Sequence, residues 1–284
     1  MNMKYHNKPN TFIELVELKV VDLQRSLEFY ENIIGFKVLE QQANKIYLTA
    51  DGKTALLSIE QPANIMPTQQ KTAGLYHYAL LLPTRADLGA VLRHLAELNI
   101  RIGAGDHLVS EALYLNDPDG NGIEIYSDRP DSEWKWQNEF VEMATLQIDA
   151  QSILAEGANT PWNGLPAGTV MGHIHLHVSE LDRTKEFYNA LGFDVMTPNY
   201  PGALFMGSGK YHHHIGLNTW AGIGAPPTPE NVVGLKAFTV VYPSNEALGD
   251  AITNVKLFGS AILEENGIHT VKDPSQNQIK LTIK

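Results

Sequence analysis

The chain repeats itself, and that repetition limits what it can fold into more than any local propensity does. Leu23-Gln24-Arg25-Ser26-Leu27-Glu28-Phe29-Tyr30, followed by Ile34-Gly35-Phe36-Lys37-Val38, returns as Leu181-Asp182-Arg183-Thr184-Lys185-Glu186-Phe187-Tyr188, followed by Leu191-Gly192-Phe193-Asp194-Val195. Each copy follows a strand pattern, at 15–20 and 173–178, and reads as a short amphipathic helix with Phe and Tyr on its buried side. Gly35 and Gly192 fit helix C-caps, after which the chain enters another strand. A second kind of segment also occurs twice. It runs from a strand at 75–82 through a helix at 85–98 to Asp117-Pro118 and Ile123-Glu124, then again from 235–241 through 245–258 to Asp273-Pro274 and Ile279-Lys280.

Two kinds of segment, each present twice, predict four βαβββ modules near residues 11–60, 74–127, 170–220 and 234–284. Paired modules of this kind curl their sheets into a half-open cup. The expected fold is therefore α+β, with four βαβββ modules in tandem forming two half-open β cups and the helices outside. Residues 1–128 carry the first pair of modules, 129–169 form a connector, and 170–284 carry the second pair. The connector is rich in Asp, Trp, Asn, Gly and Pro; it predicts a short helix around 149–156, with Trp134, Trp136 and Trp162 packing over a neighbouring surface.

A chain of 284 residues with ordinary apolar content suits one or two globular domains. Its formal charge of −11 repels nucleic acid and anionic membranes, so a small molecule is the expected partner. The opening Met-Asn-Met-Lys-Tyr-His-Asn-Lys-Pro-Asn lacks the apolar core of a signal peptide, and no run of about 18 apolar residues occurs; a cytoplasmic protein that stays off membranes is expected. The absence of Cys excludes disulfides, zinc–thiolate sites and thiol catalysis. It leaves the 11 His and the carboxylates as metal ligands. Open cup edges allow a homodimer, the commonest closed assembly.

One stretch stands out, from Gly105 to Tyr126. Ala112 to Leu115 and Ile123 to Tyr126 read as strands, with the turn Asp117-Pro118-Asp119-Gly120-Asn121-Gly122 between them. Alternation puts Glu124 on the face opposite Ile123 and Ile125, where a carboxylate meets either solvent or a cation inside a cup. His107 and Tyr114 lie just upstream, and His77 sits in the earlier strand His77-Tyr78-Ala79-Leu80-Leu81-Leu82. Imidazole and carboxylate are two of the ligands that a non-heme Fe(II) facial triad requires, with a second His completing it.

The module pattern resembles the vicinal oxygen chelate superfamily, which includes glyoxalase I, fosfomycin-resistance proteins and type I extradiol ring-cleavage dioxygenases. Gly105, His107, Leu113-Tyr114, Asp117-Pro118, Gly120 and Glu124 fill every fixed position of the extradiol dioxygenase signature. That resemblance implies Glu124 as an iron ligand, His107 and Tyr114 as groups around the substrate, and His77 as the ligand His opening the same module. Met171-Gly172-His173 resembles the Gly-His opening of the partner module and implies His173 as the remaining ligand. His173, His175 and His177 share one strand face, so parity alone does not choose among them. Tyr211-His212-His213-His214 resembles the strand carrying the catalytic acid–base His, and His213 aligns best.

In the common members all these groups come from the last two modules, but here module 4 has Ala237 and Lys280 at the ligand positions, and module 1 opens on Leu15. A complete ligand set therefore requires modules 2 and 3 to share one cup, within a chain or across a swapped dimer. The resemblance then implies Fe(II), with Mn(II) as an alternative, acting on a catechol-type diol and O2 to give a muconic semialdehyde-type product. Phe205, Trp220 and Tyr211 are available either to wall a planar ring or to fill core. Two other activities use the same fold. A glyoxalase-like isomerase, with Zn(II) or Ni(II), normally has a fourth protein ligand, for which Glu17 is an ambiguous candidate, and has no need of His107, Tyr114 and His213 together; a non-catalytic small-molecule binder is expected to lose its ligands, as modules 1 and 4 have done.

Overall fold

A computed structural model of the chain describes residues 3–68 and 71–284. Module 1 comprises β1 (Phe12–Lys19), α1 (Leu23–Phe29), β2 (Lys37–Gln41), β3 (Lys45–Thr49) and β4 (Ala55–Glu60). Module 2 comprises β5 (Gly74–Leu81), α2 (Arg85–Glu97), β6 (Gly103–Asp106), β7 (Ser110–Asn116) and β8 (Gly122–Asp128). The connector holds β9 (Trp136–Gln137), β10 (Phe140–Val141) and α3 (Ala150–Glu156), whose N-cap Asp149 accepts from Ser152 N. Module 3 follows with β11 (Val170–His177), α4 (Asp182–Ala190), β12 (Asp194–Tyr200), β13 (Ala203–Gly207) and β14 (Ile215–Asn218). Module 4 closes the chain with β15 (Gly234–Tyr242), α5 (Asn245–Phe258), β16 (Ile262–Glu265), β17 (Ile268–Lys272) and β18 (Gln278–Ile283).

The strands form two eight-stranded sheets, ordered β16-β17-β18-β15-β1-β4-β3-β2 and β12-β13-β14-β11-β5-β8-β7-β6. Each sheet therefore takes one module from 1–128 and one from 170–284. Modules 2 and 3 meet where β5 runs antiparallel to β11, and modules 1 and 4 where β1 runs antiparallel to β15. Within each module the first strand lies parallel to the last, as β5 to β8 and β15 to β18. The α+β fold of four βαβββ modules in two cups follows.

One face of each sheet is apolar and packs with the helices into a single buried cluster that includes Tyr78, Leu80, Ile123, Ile125, Ile174, Leu176, Phe238, Val240, Ile279 and Leu281. Burial on this face stabilises both cups together. The opposite faces are left to line the cups.

The repeat's two signatures touch. The Tyr30 hydroxyl donates to Asp117 at 2.8 Å, and the Tyr188 hydroxyl donates to Asp273 at 3.1 Å, both buried. Each Asp also binds its own turn: Asp273 accepts from Ser275 N, Asn277 N and Asn277 Nδ2. Thus the helix of one module is tied to the last turn of the next. Asp273→Ala is expected to strand these buried donors and lower stability by about 2–4 kcal/mol in urea denaturation, whereas a change under ~0.5 kcal/mol would show that the contact is dispensable. A difference from the sequence reading lies at the first helix, where α1 passes into a π-helical turn over Tyr30–Ile34 before Gly35 caps it at φ 88°.

Candidate metal centre and its pocket

Strand register decides which side chains meet inside the cup of modules 2 and 3. Across β5 and β11, His173 faces Ala79 and His175 faces His77, and across β5 and β8, Ala79 faces Glu124. Ala79 is the small residue between two ligating types, so His173 and Glu124 close over it. His77 Nε2 lies 3.3 Å from His173 Nε2 and 3.0 Å from Glu124 Oε2, and His173 Nε2 lies 3.1 Å from the same oxygen. All three side chains are buried.

Burial pushes the His173 imidazole down to about 4, which leaves it neutral near pH 7. Burial alone would raise the Glu124 carboxyl; His173 and then His77, which face it at 3.1 and 3.0 Å, reverse this and hold it well below the usual carboxylate range. The favoured arrangement is an uncharged imidazole beside an ionised carboxylate, the protonation states in which both donate to a metal. The three donor atoms lie within 4.8 Å of one another and form a group able to hold a metal ion. First-row ions hold N and O donors at about 2.0–2.2 Å, so donors about 3 Å apart can share one ion and leave its far side open. Two nitrogens and one oxygen suit a borderline divalent metal.

A cavity of about 200 Å³ opens above the triad. Its lining includes His77 and Glu124 at the base, with His107, Tyr114 and His213 around them. His107 Nδ1 donates to Ala144 O at 2.8 Å, which leaves Nε2 to accept from the Tyr114 hydroxyl at 2.6 Å. Burial raises the Tyr114 phenol well above its ordinary value, so it stays protonated. His213 packs against His173 with ring centroids 4.0 Å apart and planes tilted by 45°, and burial keeps it well below the usual imidazole range.

Five of the six residues singled out for the site line this cavity, and the sixth, His173, contacts three of them, His77, Glu124 and His213. The neighbouring histidines separate from them. His175 lines the cavity and its Nε2 accepts from Asn218 Nδ2 at 2.9 Å, while His177 Nδ1 bonds Asn218 Oδ1 at 2.6 Å. Gly216 makes room for that His175 ring: a Cβ there would stand 2.8 Å from its Cγ. His214 turns away and spans Ser208 N and Tyr5 O. Of the three candidate aromatics, Phe205 and Trp220 line the cavity, whereas Tyr211 is fully buried against Tyr5 and Trp134.

Several wall residues carry no sequence signal. Met143 and Thr145 come from the connector, which reaches the cup because Asp106 and Leu146 exchange backbone hydrogen bonds at 3.0 and 2.8 Å. The Thr145 hydroxyl bonds that of Tyr200, another wall residue, at 2.7 Å. Tyr76 and Trp220 form a rim shared with a larger polar cleft of about 460 Å³. Of the three donors none lines that cleft, so the chemistry belongs to the smaller cavity.

Among the described residues, the other cup holds no such set. Reading the same register there, Leu15 replaces His173, Ala237 replaces His77 and Lys280 replaces Glu124. Glu17 stands where His175 would, and it pairs with Lys280 and, at 2.6 Å, with Lys45. It is therefore committed to two ammonium groups in the other cup.

Comparison with known proteins agrees with this anatomy. The pattern of the glyoxalase/bleomycin resistance protein/dioxygenase superfamily matches residues 13–125. The catechol-2,3-dioxygenase of Bacillus subtilis (strain 168) is 49% identical over 271 residues, which cover 93% of this chain and 94% of that protein. Among solved structures, a candidate dioxygenase of Bacillus subtilis superposes with a TM-score of 0.64 at 13% identity, covering 96% of this chain and 84% of its own. Glyoxalase I from Zea mays gives a TM-score of 0.57 at 15% identity, covering 95% and 92% respectively. At such identities the two structures speak to the fold alone. Among the described residues, no helix is long and apolar enough to cross a membrane.

Proposed function

The chain belongs to the glyoxalase/bleomycin resistance protein/dioxygenase superfamily, and from that premise we propose that it is an Fe(II)-dependent extradiol dioxygenase. Its substrates on this reading are a catechol-type diol and O2, and its product is a muconic semialdehyde-type compound. The observation that carries the reading is the convergence of His77 Nε2, His173 Nε2 and Glu124 Oε2 beneath a cavity rimmed by His107, Tyr114 and His213. The 49% identity to a catechol-2,3-dioxygenase over nearly the whole chain supports the same substrate class.

His77, His173 and Glu124 would hold the metal. When bound, Fe(II) would supply Lewis-acid and redox chemistry, lowering the pKa of a diol and activating O2. The protein's own groups do the rest. Phe205, Trp220 and Tyr200 wall the cavity, and its small volume admits a single planar ring more readily than a large ligand. Tyr114, its one hydroxyl proton committed to His107 Nε2, orients a substrate hydroxyl by accepting from it. His213 faces the same space and takes a proton from the substrate hydroxyl.

Anaerobic loading with Fe(II), then catechol and air, is expected to give stoichiometric O2 uptake and a yellow ring-opened product. Protein that binds Zn(II) tightly and stays colourless and inert with iron and catechol would instead indicate the isomerase.

A further inference from the structure

We propose that Asp128 and His212 are positioning residues that set the tautomer of His213, so that His213 meets the cavity with an unprotonated Nε2. The inference rests on the proton-transfer role proposed above for His213. Strand β8 carries Glu124, Tyr126 and Asp128 on one face, since the residues alternate. One strand thus delivers both the carboxylate of the metal centre and a second carboxylate behind His213.

The hydrogen bonds leave one assignment. Asp128 Oδ1 accepts from His212 Nε2 at 2.8 Å and from the Tyr211 hydroxyl at 3.3 Å, and Tyr126 donates to Tyr211 at 2.7 Å. A carboxylate only accepts, so His212 carries its proton on Nε2. A neutral imidazole has a single N–H, which leaves His212 Nδ1 as an acceptor. Its partner is His213 Nδ1, 2.8 Å away. His213 therefore spends its one proton on Nδ1, against His212, and keeps a lone pair on Nε2; of the two rings, His213 is the one that lines the cavity. A base needs that lone pair. When the substrate hydroxyl gives its proton to Nε2, the Nδ1–H bond to His212 becomes charge-assisted, with Asp128 behind it. His212 and Asp128 touch neither cavity nor metal donors, so they act only through His213.

Asp128→Asn removes the charge that holds the pattern, and when the amide turns its N–H to His212 Nε2, every proton along the line shifts by one place. Nitrogen-15 spectra of the Zn(II)-loaded protein, with His213 identified by its absence in His213→Gln, are expected to show Nδ1–H in the natural protein and Nε2–H in Asp128→Asn. In the Fe(II)-loaded enzyme with catechol, Asp128→Asn is expected to lower kcat roughly tenfold or more with KM little changed. The same substitution made on top of His213→Gln is expected to cost nothing further. An Nε2–H signal in the natural protein, or an equal kcat loss in both backgrounds, would overturn the proposal. A His213→Gln enzyme with full activity would instead remove the proton-transfer role, while the spectra would still decide the tautomer.

Discussion

Single substitution of His77, Glu124 or His173 by Ala is expected to leave a folded protein that no longer retains its metal and no longer consumes O2 with catechol. The reason is geometric. Each residue supplies one donor to a three-donor set whose atoms stand 3.0–3.3 Å apart, so losing one leaves a two-point site that water must complete. Loss of a mere outer partner weakens metal sites by about 10–100-fold; loss of a donor is expected to exceed that. Equilibrium dialysis with Fe(II), or the rise in Tm that added metal produces, measures the effect directly. His175→Ala supplies the contrast, since its Nε2 is engaged by Asn218 and it stands two residues along β11 from His173, outside the three-donor group. That variant is expected to keep the metal and to alter the pocket. Full iron retention by any one of the three triad variants, or iron loss confined to His175→Ala, would refute this ligand set.

How much of this was legible beforehand depends on where the information is stored. The candidate donors were readable because β-strand parity and the Gly105–Glu124 motif are linear in sequence, and because Ala237, Lys280 and Leu15 stand where the other cup would need such donors. That lack also forced modules 2 and 3 together, which the β5–β11 ladder bears out within one chain. The choice of His173 over His175 and His177 rested on resemblance, since all three share a face; register opposite Ala79 is what separates them. The walls were not legible. Met143 and Thr145 belong to irregular connector, whose path is set by one backbone bridge to Asp106 and carries no periodicity. Nor does sequence reveal that adjacent His212 and His213 bond through their Nδ1 atoms, because that depends on Asp128 reaching across from another module. The π-helical turn at Tyr30 escaped for a similar reason: its position follows the tertiary hydrogen bond to Asp117, not a local propensity.

In the metal-free cup, Glu17→Leu is expected to destabilise the fold by about 3–5 kcal/mol, a large part of an ordinary domain's stability. Register places Lys280 where Glu124 stands in the other cup, so a tethered ammonium and a carboxylate occupy the ground that donors and ion would otherwise share. Glu17 is 1% exposed and binds both Lys280 and Lys45, of which Lys45 is itself largely buried. Removing the carboxylate leaves two partly desolvated positive charges without a partner, which costs more than the pair contributes. Converting all three together, as Glu17→Leu with Lys45→Met and Lys280→Met, is expected to recover most of the loss, because apolar replacement of a buried ion cluster is often neutral. The pH dependence has a definite sign. Burial would raise the Glu17 carboxyl, but Lys280 and Lys45 outweigh it and the folded value lies below the ordinary one. A depressed acid contributes stability above its unfolded value, near about 4.3, and loses it as pH falls through the folded value. Urea midpoints at pH 7 and in the acid range, compared between the natural protein and the triple variant, isolate that contribution. A Glu17→Leu protein with an unshifted midpoint at pH 7 would mean that solvent, not Glu17, already neutralises the two lysines.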